Sequence, residues 1–227
     1  VFKRFQNRVQ HNVQTMPLTG LPLFPLDIVL FPDEGLPLHV FEERYRQLLK
    51  DCLNANVPFG LIRYTNSTFE DVGCTARIKD VVETHTDGSS DIIVVGEERF
   101  RLLELQGNRM YRTADVDIVA DVPAIVNDEE RERLVAQHIK LLELAGRIPS
   151  PSSYEDRDRL SYFVGRNAGL SVDQRQMLLE MRNEAQRIHY LVGHLEAFIP
   201  AVEEAEDLRR KITSNGHFPD FPLRHDF

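Results

Sequence analysis

Residues 21–50 read LPLFPLDIVLFPDEGLPLHVFEERYRQLLK. Pro22, Pro25, Pro32 and Pro37 punctuate a run of large apolar residues (Leu23, Phe24, Leu26, Ile28, Val29, Leu30 and Phe31) that passes into a charged, helix-like end. Proline fixes φ and donates no backbone hydrogen bond, so within a sheet it belongs at edges and bulges. A catalytic loop gathers nucleophiles, metal ligands or glycines, and this stretch does not. It reads as architecture, and the function it serves as binding and not chemistry.

Outward from this stretch the pattern is β-rich. Phe59–Tyr64, Gly73–Thr84, Asp91–Leu105 and Tyr111–Ala120 alternate with period two and are rich in β-branched residues, so each predicts a strand. TDGSSD at 86–91 and QGN at 106–108 are turn-like separators. Asp91–Leu105 is long for one strand, and Gly96 is expected to mark a bulge or bend in it. Leu38–Leu53 carries Val40, Phe41, Tyr45, Leu48, Leu49 and Leu53 at helical spacing, which sets one helix inside the β region. Consecutive strands with one helix predict a small barrel-like sheet.

After Val122-Pro123 the period changes to 3.6. Asn127 is placed to cap a helix ending near Gly146, with Leu134, Val135, Ile139, Leu142 and Ala145 on its face. Ser153 and Asp156 sign the start of a second helix, which carries Leu160, Phe163 and Val164 and stops at Gly169. Ser171 with Gln174 forms a capping box opening Val172–Met181. A last helix carries Ile188, Leu191, Val192, Leu195 and Phe198, meets Pro200 and resumes through Leu208. The fold class is therefore α+β: a β-rich part over 18–126 and a helical bundle over 127–212, between an N-terminal extension at 1–17 and a tail at 213–227.

Bulk properties narrow the function. The chain has 227 residues, enough for a substantial core, and a net charge of −9. Binding to a phosphate backbone draws on surplus Lys and Arg, so nucleic acid is not expected as a partner. Cys52 and Cys74 stand 22 positions apart without a CxxC motif, which rules out a cysteine-based zinc site and reads as two buried reduced thiols in a cytoplasmic protein. No apolar run approaches the ~20 residues that span a bilayer, and no membrane partner is expected. The acid-free opening VFKRFQNRVQHNVQT reads as an extension ahead of a start at Met16, with a transit-like presequence as the alternative. The tail TSNGHFPDFPLRHDF is expected to pack back as a strap or stay disordered, with a linear motif as the alternative.

Catalytic signatures are missing. The chain has no GxxxxGK[ST], no GxGxxG and no GxSxG. His189 and His194 are five apart, off one helical face, whereas HExxH sets its histidines four apart. The eight histidines are scattered, which leaves only a site assembled in space. Glu42-Glu43 and Glu97-Glu98 are adjacent carboxylates whose side chains diverge, so they read as solvated or salt-bridged faces. Asn66-Ser67-Thr68 matches a glycosylation sequon but carries little meaning without a secretion signal. No cofactor, metal or catalytic residue is expected.

The opening stretch resembles the start of the Lon N-terminal domain, the substrate-binding domain of Lon proteases. Pro22–Leu26 match its entry strand, Phe31, Pro32 and Gly35 its turn, Leu36–His39 its second strand, and Phe41, Glu42, Arg44 and Tyr45 its helix signature. Gly96, Arg99, Phe100 and Arg101 resemble its G-x-x-RF strand. The resemblance implies a PUA-like pseudo-barrel followed by a helical bundle, and a non-catalytic module that recognises unfolded polypeptide or a partner protein. The ATPase and Ser–Lys protease parts of a full Lon are not in the sequence, so it reads as a free-standing member.

Phe24, Phe31, Phe41 and Tyr45 are candidate contacts for substrate, with core packing as the competing role. Arg99 and Arg101 flank Phe100 and, by strand alternation, are expected to share a basic face. The alternative function is a receptor for a small molecule or modified residue in the groove between barrel and bundle. RNA binding, against which the acidic charge argues, and hydrolysis, for which the chain offers no nucleophile, stand well behind both.

Overall fold

A computed structural model describes residues 16–107, 110–155 and 157–215. The expectations for the segment 1–15, for Asp156 and for the tail beyond residue 215 lie outside the described residues.

The β-rich part comprises β1 (Met16–Leu26), β2 (Gly35–Val40), β3 (Phe59–Thr65), β4 (Thr68–Phe69), β5 (Val72–Thr84), β6 (Ser90–Gln106) and β7 (Thr113–Ile118), with helix α1 (Glu43–Ala55) between β2 and β3. Pairing runs β1–β7–β6–β5–β3, and β3 also pairs in parallel with β1, so the sheet curls into a partial ring. The prolines help set this geometry. β1 pairs with β7 up to Pro22 and with β3 from Leu23 onward, so it changes neighbours at that proline. Gly20, at φ 68°, lies within the register shift between Leu18 and Leu21, a bulge that lets the strand turn.

β6 is the spine. Its first half pairs with β2 and β5, and its second half with β7 and β5. Between the halves the register slips, with Thr75 opposite both Glu97 and Glu98. The Thr75 hydroxyl closes this bulge by accepting from the Glu98 N–H at 3.0 Å and donating to the Glu98 carbonyl at 3.2 Å. Gly96 opens the bulge because the turn after Phe31 lies against it. A Cβ there would sit 2.1 Å from the Phe31 carbonyl oxygen. The segment predicted as helix from Leu38 is strand through Val40, and helix begins only at Glu43, because His39 and Val40 complete the pairing with Asp91 and Ser90.

The helical half comprises α2 (Asp128–Leu144), a 3-10 turn at Pro151–Tyr154, α3 (Leu160–Gly165), α4 (Val172–Glu180) and α5 (Glu184–Asn215). Asn127 caps α2 by accepting from the N–H groups of Glu129 and Glu130. Ser171 and Gln174 form the expected capping box. The expected second helix is only the short α3. α5 continues through Pro200 without a break.

Three apolar clusters form the core among the described residues. Leu21, Leu23, Ile62, Phe100, Ala114 and Val116 fill the ring. Phe24, Tyr45, Leu48, Phe59, Ile92 and Val94 join α1 to the sheet. The third is the core of the helical half, and Val29, Phe31 and Val72 of the β-rich half belong to it. The two halves therefore share a core.

Candidate polypeptide-binding surface

Arginines lock the seam between the halves. Arg187 on α5 is fully buried. It donates to Asp121 (Nη1–Oδ1 3.0 Å, with a second bond to Oδ2), to the Glu184 carboxylate at 2.7 Å and to the Ser161 hydroxyl at 2.8 Å, while its guanidinium lies 4.3 Å from the centre of the Tyr162 ring. Burial opposes its charge, but the Asp121 hydrogen bonds hold its pKa above the ordinary arginine value. Arg99 donates to the carbonyls of Leu179 (2.9 Å) and Met181 (2.8 Å) and to Asp121 at 2.5 Å. Arg175 of α4 reaches back to the Val29 carbonyl at 2.9 Å and to Glu34, and its guanidinium lies over the Phe31 ring.

These contacts locate the candidate residues. Phe24 packs edge-on to Tyr45 with ring centres 4.2 Å apart, and both are buried. Phe31 is buried against Tyr162 and Arg175. Arg99 and Arg101 lie on the same face of β6, opposite Phe100, but Arg99 is enclosed in the seam while Arg101 is exposed, so they do not present a paired basic surface to solvent. Arg99 lies under the end of α4, where the Leu179 and Met181 carbonyls and Asp121 take up its donors. Phe41 differs from the other aromatics: it is 63% exposed, directly after β2.

β2 pairs with β6 alone among the described residues, which leaves its outer edge open. Gly96 N–H donates to the Glu34 carbonyl at 3.0 Å, and Pro37 has no N–H to give. In an antiparallel ladder the bonding alternates. Pairing with β6 therefore runs through Glu34, Leu36, Leu38 and Val40, and the backbone of Gly35, Pro37 and His39 points outward. That edge offers the carbonyls of all three and the N–H groups of Gly35 and His39. It ends beside Phe41, which stacks on His39 with ring centres 5.9 Å apart. The other side of this three-stranded arm is better defended, since β5 carries register shifts on either side of Asp80–Val81 and a lysine, Lys79, within the first.

A second concavity, about 450 Å³, lies between the halves and is lined by Pro32, Asp33, Glu98, Arg157, Asp158, Arg159, Phe163 and Arg166. Its lining balances three arginines with three carboxylates: Arg159 bonds Glu98 at 3.0 Å, and the Arg157 and Arg166 guanidiniums are taken up on the Phe163 ring. At the tip of the arm, the ligand atoms of His39, His85 and Asp91 lie within 4.8 Å of one another. Sequence reading could not join these residues, because only the sheet register brings them together.

The family model of the ATP-dependent protease La (LON) substrate-binding domain matches residues 20–197. The chain belongs to the Lon substrate-binding domain family. It is 24% identical over 225 residues to a Lon protease of Flavobacterium johnsoniae, a match covering 91% of this chain and 27% of that protein. A Lon protease of Anaeromyxobacter dehalogenans is 28% identical over 178 residues, covering 70% of this chain and 21% of the other. The chain thus spans about a quarter of the length of the Lon proteases it matches. Among solved structures, a Lon N-terminal domain protein from Xanthomonas campestris superposes with a TM-score of 0.64 at 25% identity, covering 78% of this chain and 98% of that one. The N-terminal domain of a Mycobacterium avium complex Lon protease shares the fold, with a TM-score of 0.55 at 19% identity over 78% of this chain and 98% of the other. No helix among the described residues is long and apolar enough to cross a membrane.

Proposed function

We propose that this Lon-family domain recognises extended, unfolded polypeptide by adding it as a strand to the outer edge of β2, with Phe41 as the apolar anchor. The observation that carries this reading is the unpaired edge of Gly35, Pro37 and His39 running into a phenylalanine left 63% exposed. Strand addition draws its affinity from main-chain hydrogen bonds, so it tolerates many sequences, and adjoining apolar surface favours hydrophobic segments. Pro37 lacks a donor and so discourages two such edges from pairing with each other. Family membership supports the reading, since the matched model is a substrate-binding domain. The domain acts as a recognition module, an adaptor for unfolded substrates, with no bond-breaking chemistry of its own. The balanced charges of the groove between the halves make a small-ligand site there the weaker reading.

The test is fluorescence anisotropy with a labelled, reduced and alkylated polypeptide, in the presence of a chelator. His39→Pro removes an outward N–H that the fold does not use. It should weaken binding about fivefold, the worth of roughly one hydrogen bond, while His39→Ala should bind as wild type. Phe41→Ala should cost about tenfold or more, the burial of a phenylalanine being worth roughly 1.5–3 kcal/mol. Wild-type affinity in both His39→Pro and Phe41→Ala would overturn the reading.

A further inference from the structure

The tip of the β2–β6–β5 arm places three metal-competent side chains on one face. His39 and Asp91 are directly opposite in the β2–β6 ladder, and Asp91 is opposite Glu83 in the β5–β6 ladder. His85 begins the tight turn that joins β5 to β6, and is fixed there by its own N–H bonding the Ser89 carbonyl at 2.8 Å and its carbonyl accepting from Gly88 at 2.9 Å. His39 Nδ1 lies 2.7 Å from Asp91 Oδ1, and His85 Nε2 lies 2.8 Å from Asp91 Oδ2. On its far side, the His85 ring turns Nδ1 toward Glu83 Oε1 at 3.6 Å. A carboxylate behind a ligating imidazole is the arrangement that fixes the tautomer and orientation of metal-bound histidine.

We infer that His39, His85 and Asp91 form a binding site for a late divalent transition ion, zinc above all, with Glu83 orienting His85. Two imidazoles and one carboxylate suit zinc and its neighbours in the series; a hard ion such as magnesium or calcium takes an all-oxygen shell. Bonds of about 2.0–2.2 Å put tetrahedral ligand atoms somewhat more than 3 Å apart, a modest spreading of the present contacts and well inside the 4.8 Å that encloses all three. The ligands come from paired strands and a tight turn, so binding needs no refolding. Three protein ligands leave a fourth position. It opens to solvent, the His39, His85 and Asp91 side chains being 53%, 32% and 40% exposed, and it is free for water or for a donor carried by another chain. The competing description is a surface His–Asp–His hydrogen-bonded chain that holds no ion.

Isothermal titration of the purified, chelator-treated full chain with zinc chloride separates the two. The expected result is saturable binding of a single ion per chain, weakened at least about tenfold in each of His39→Ala, His85→Ala and Asp91→Asn. Cobalt should report the same site independently, through the visible absorption of a low-coordinate ion that His85→Ala abolishes. Circular dichroism of the variants should match wild type, since all three side chains lie at the exposed tip. Absence of saturable zinc binding in the wild type would overturn the proposal. So would zinc binding that persists unchanged in a His39→Ala, His85→Ala double variant.

Discussion

Gly96 and the turn at Phe31 show how two separated motifs depend on each other. The Asp33 N–H bonds the Gly96 carbonyl at 2.8 Å, and Gly96 N–H bonds the Glu34 carbonyl at 3.0 Å. No side chain fits between them. Gly96→Ala should destabilise the protein by about 3 kcal/mol, at the upper end for overpacking because the obstructing atom is backbone, as read by urea denaturation. Arg187 is a second such position. Arg187→Met would leave Glu184 without its cation and Asp121 with Arg99 alone, a loss of about 3 kcal/mol on the same measurement. His138 carries a pH signature. Burial, with the charges of Arg147 and Arg166, pushes its imidazole down to about 4. An unfolded histidine titrates near ~6.5, so between these values the unfolded chain binds a proton that the native chain refuses. Stability must therefore fall as pH drops through that window, by at most roughly 3 kcal/mol, and be unaffected above it. His138→Gln should flatten this part of the profile. Unchanged pH dependence in the variant would remove His138 from the account. Cys52 and Cys74 are both free and buried, and burial pushes the Cys52 thiol up to about 11. The buried, reduced thiols were expected from the cysteine usage; the burials of Gly96, Arg187 and His138 were not readable from local sequence, because each depends on which distant element covers the residue.

At the scale of elements, local signals carried furthest where the chemistry was local. Asn127 and Ser171–Gln174 announced their helices because a cap is satisfied within its own turn. Ser171→Ala should cost about 1 kcal/mol, detectable as a lowered Tm. The strands over 59–65, 72–84 and 90–106 were legible from alternation, and Gly96 from its place in an overlong run. The start of α1 was misplaced because Val40 and Phe41 satisfy a helical period and a strand period equally, and only pairing with β6 decides between them. Arg99 and Arg101 do share a face of β6, as alternation predicts, since the register through them is regular; what the sequence could not show is that the end of α4 covers Arg99 and leaves Arg101 in solvent. The prolines pointed to an edge or bulge in this stretch, but that the open edge is the outer side of β2 lay beyond the sequence, since an edge is defined by what does not pair with it.

For the whole molecule, the shared core and the arginine seam make one cooperative unit of two differently built halves. Val29, Phe31 and Val72 belong to the core of the helical half, and Asp121 gathers Arg99 and Arg187 across the boundary. A fragment ending at residue 126 should therefore fail to fold, giving collapsed near-ultraviolet dichroism, while the full chain should unfold in a single transition by both near- and far-ultraviolet probes. That rigidity leaves the β2 edge as a preformed strip of unpaired backbone, which is the feature the proposed function requires. Amide hydrogen exchange tests it most directly. In the free protein the outward amides of Gly35 and His39 should exchange quickly, while those of Leu36 and Leu38, bonded to β6, are protected. Addition of an unfolded polypeptide, with a chelator present, should slow exchange selectively at Gly35 and His39. Unchanged exchange at both amides under saturating polypeptide would contradict strand addition at β2.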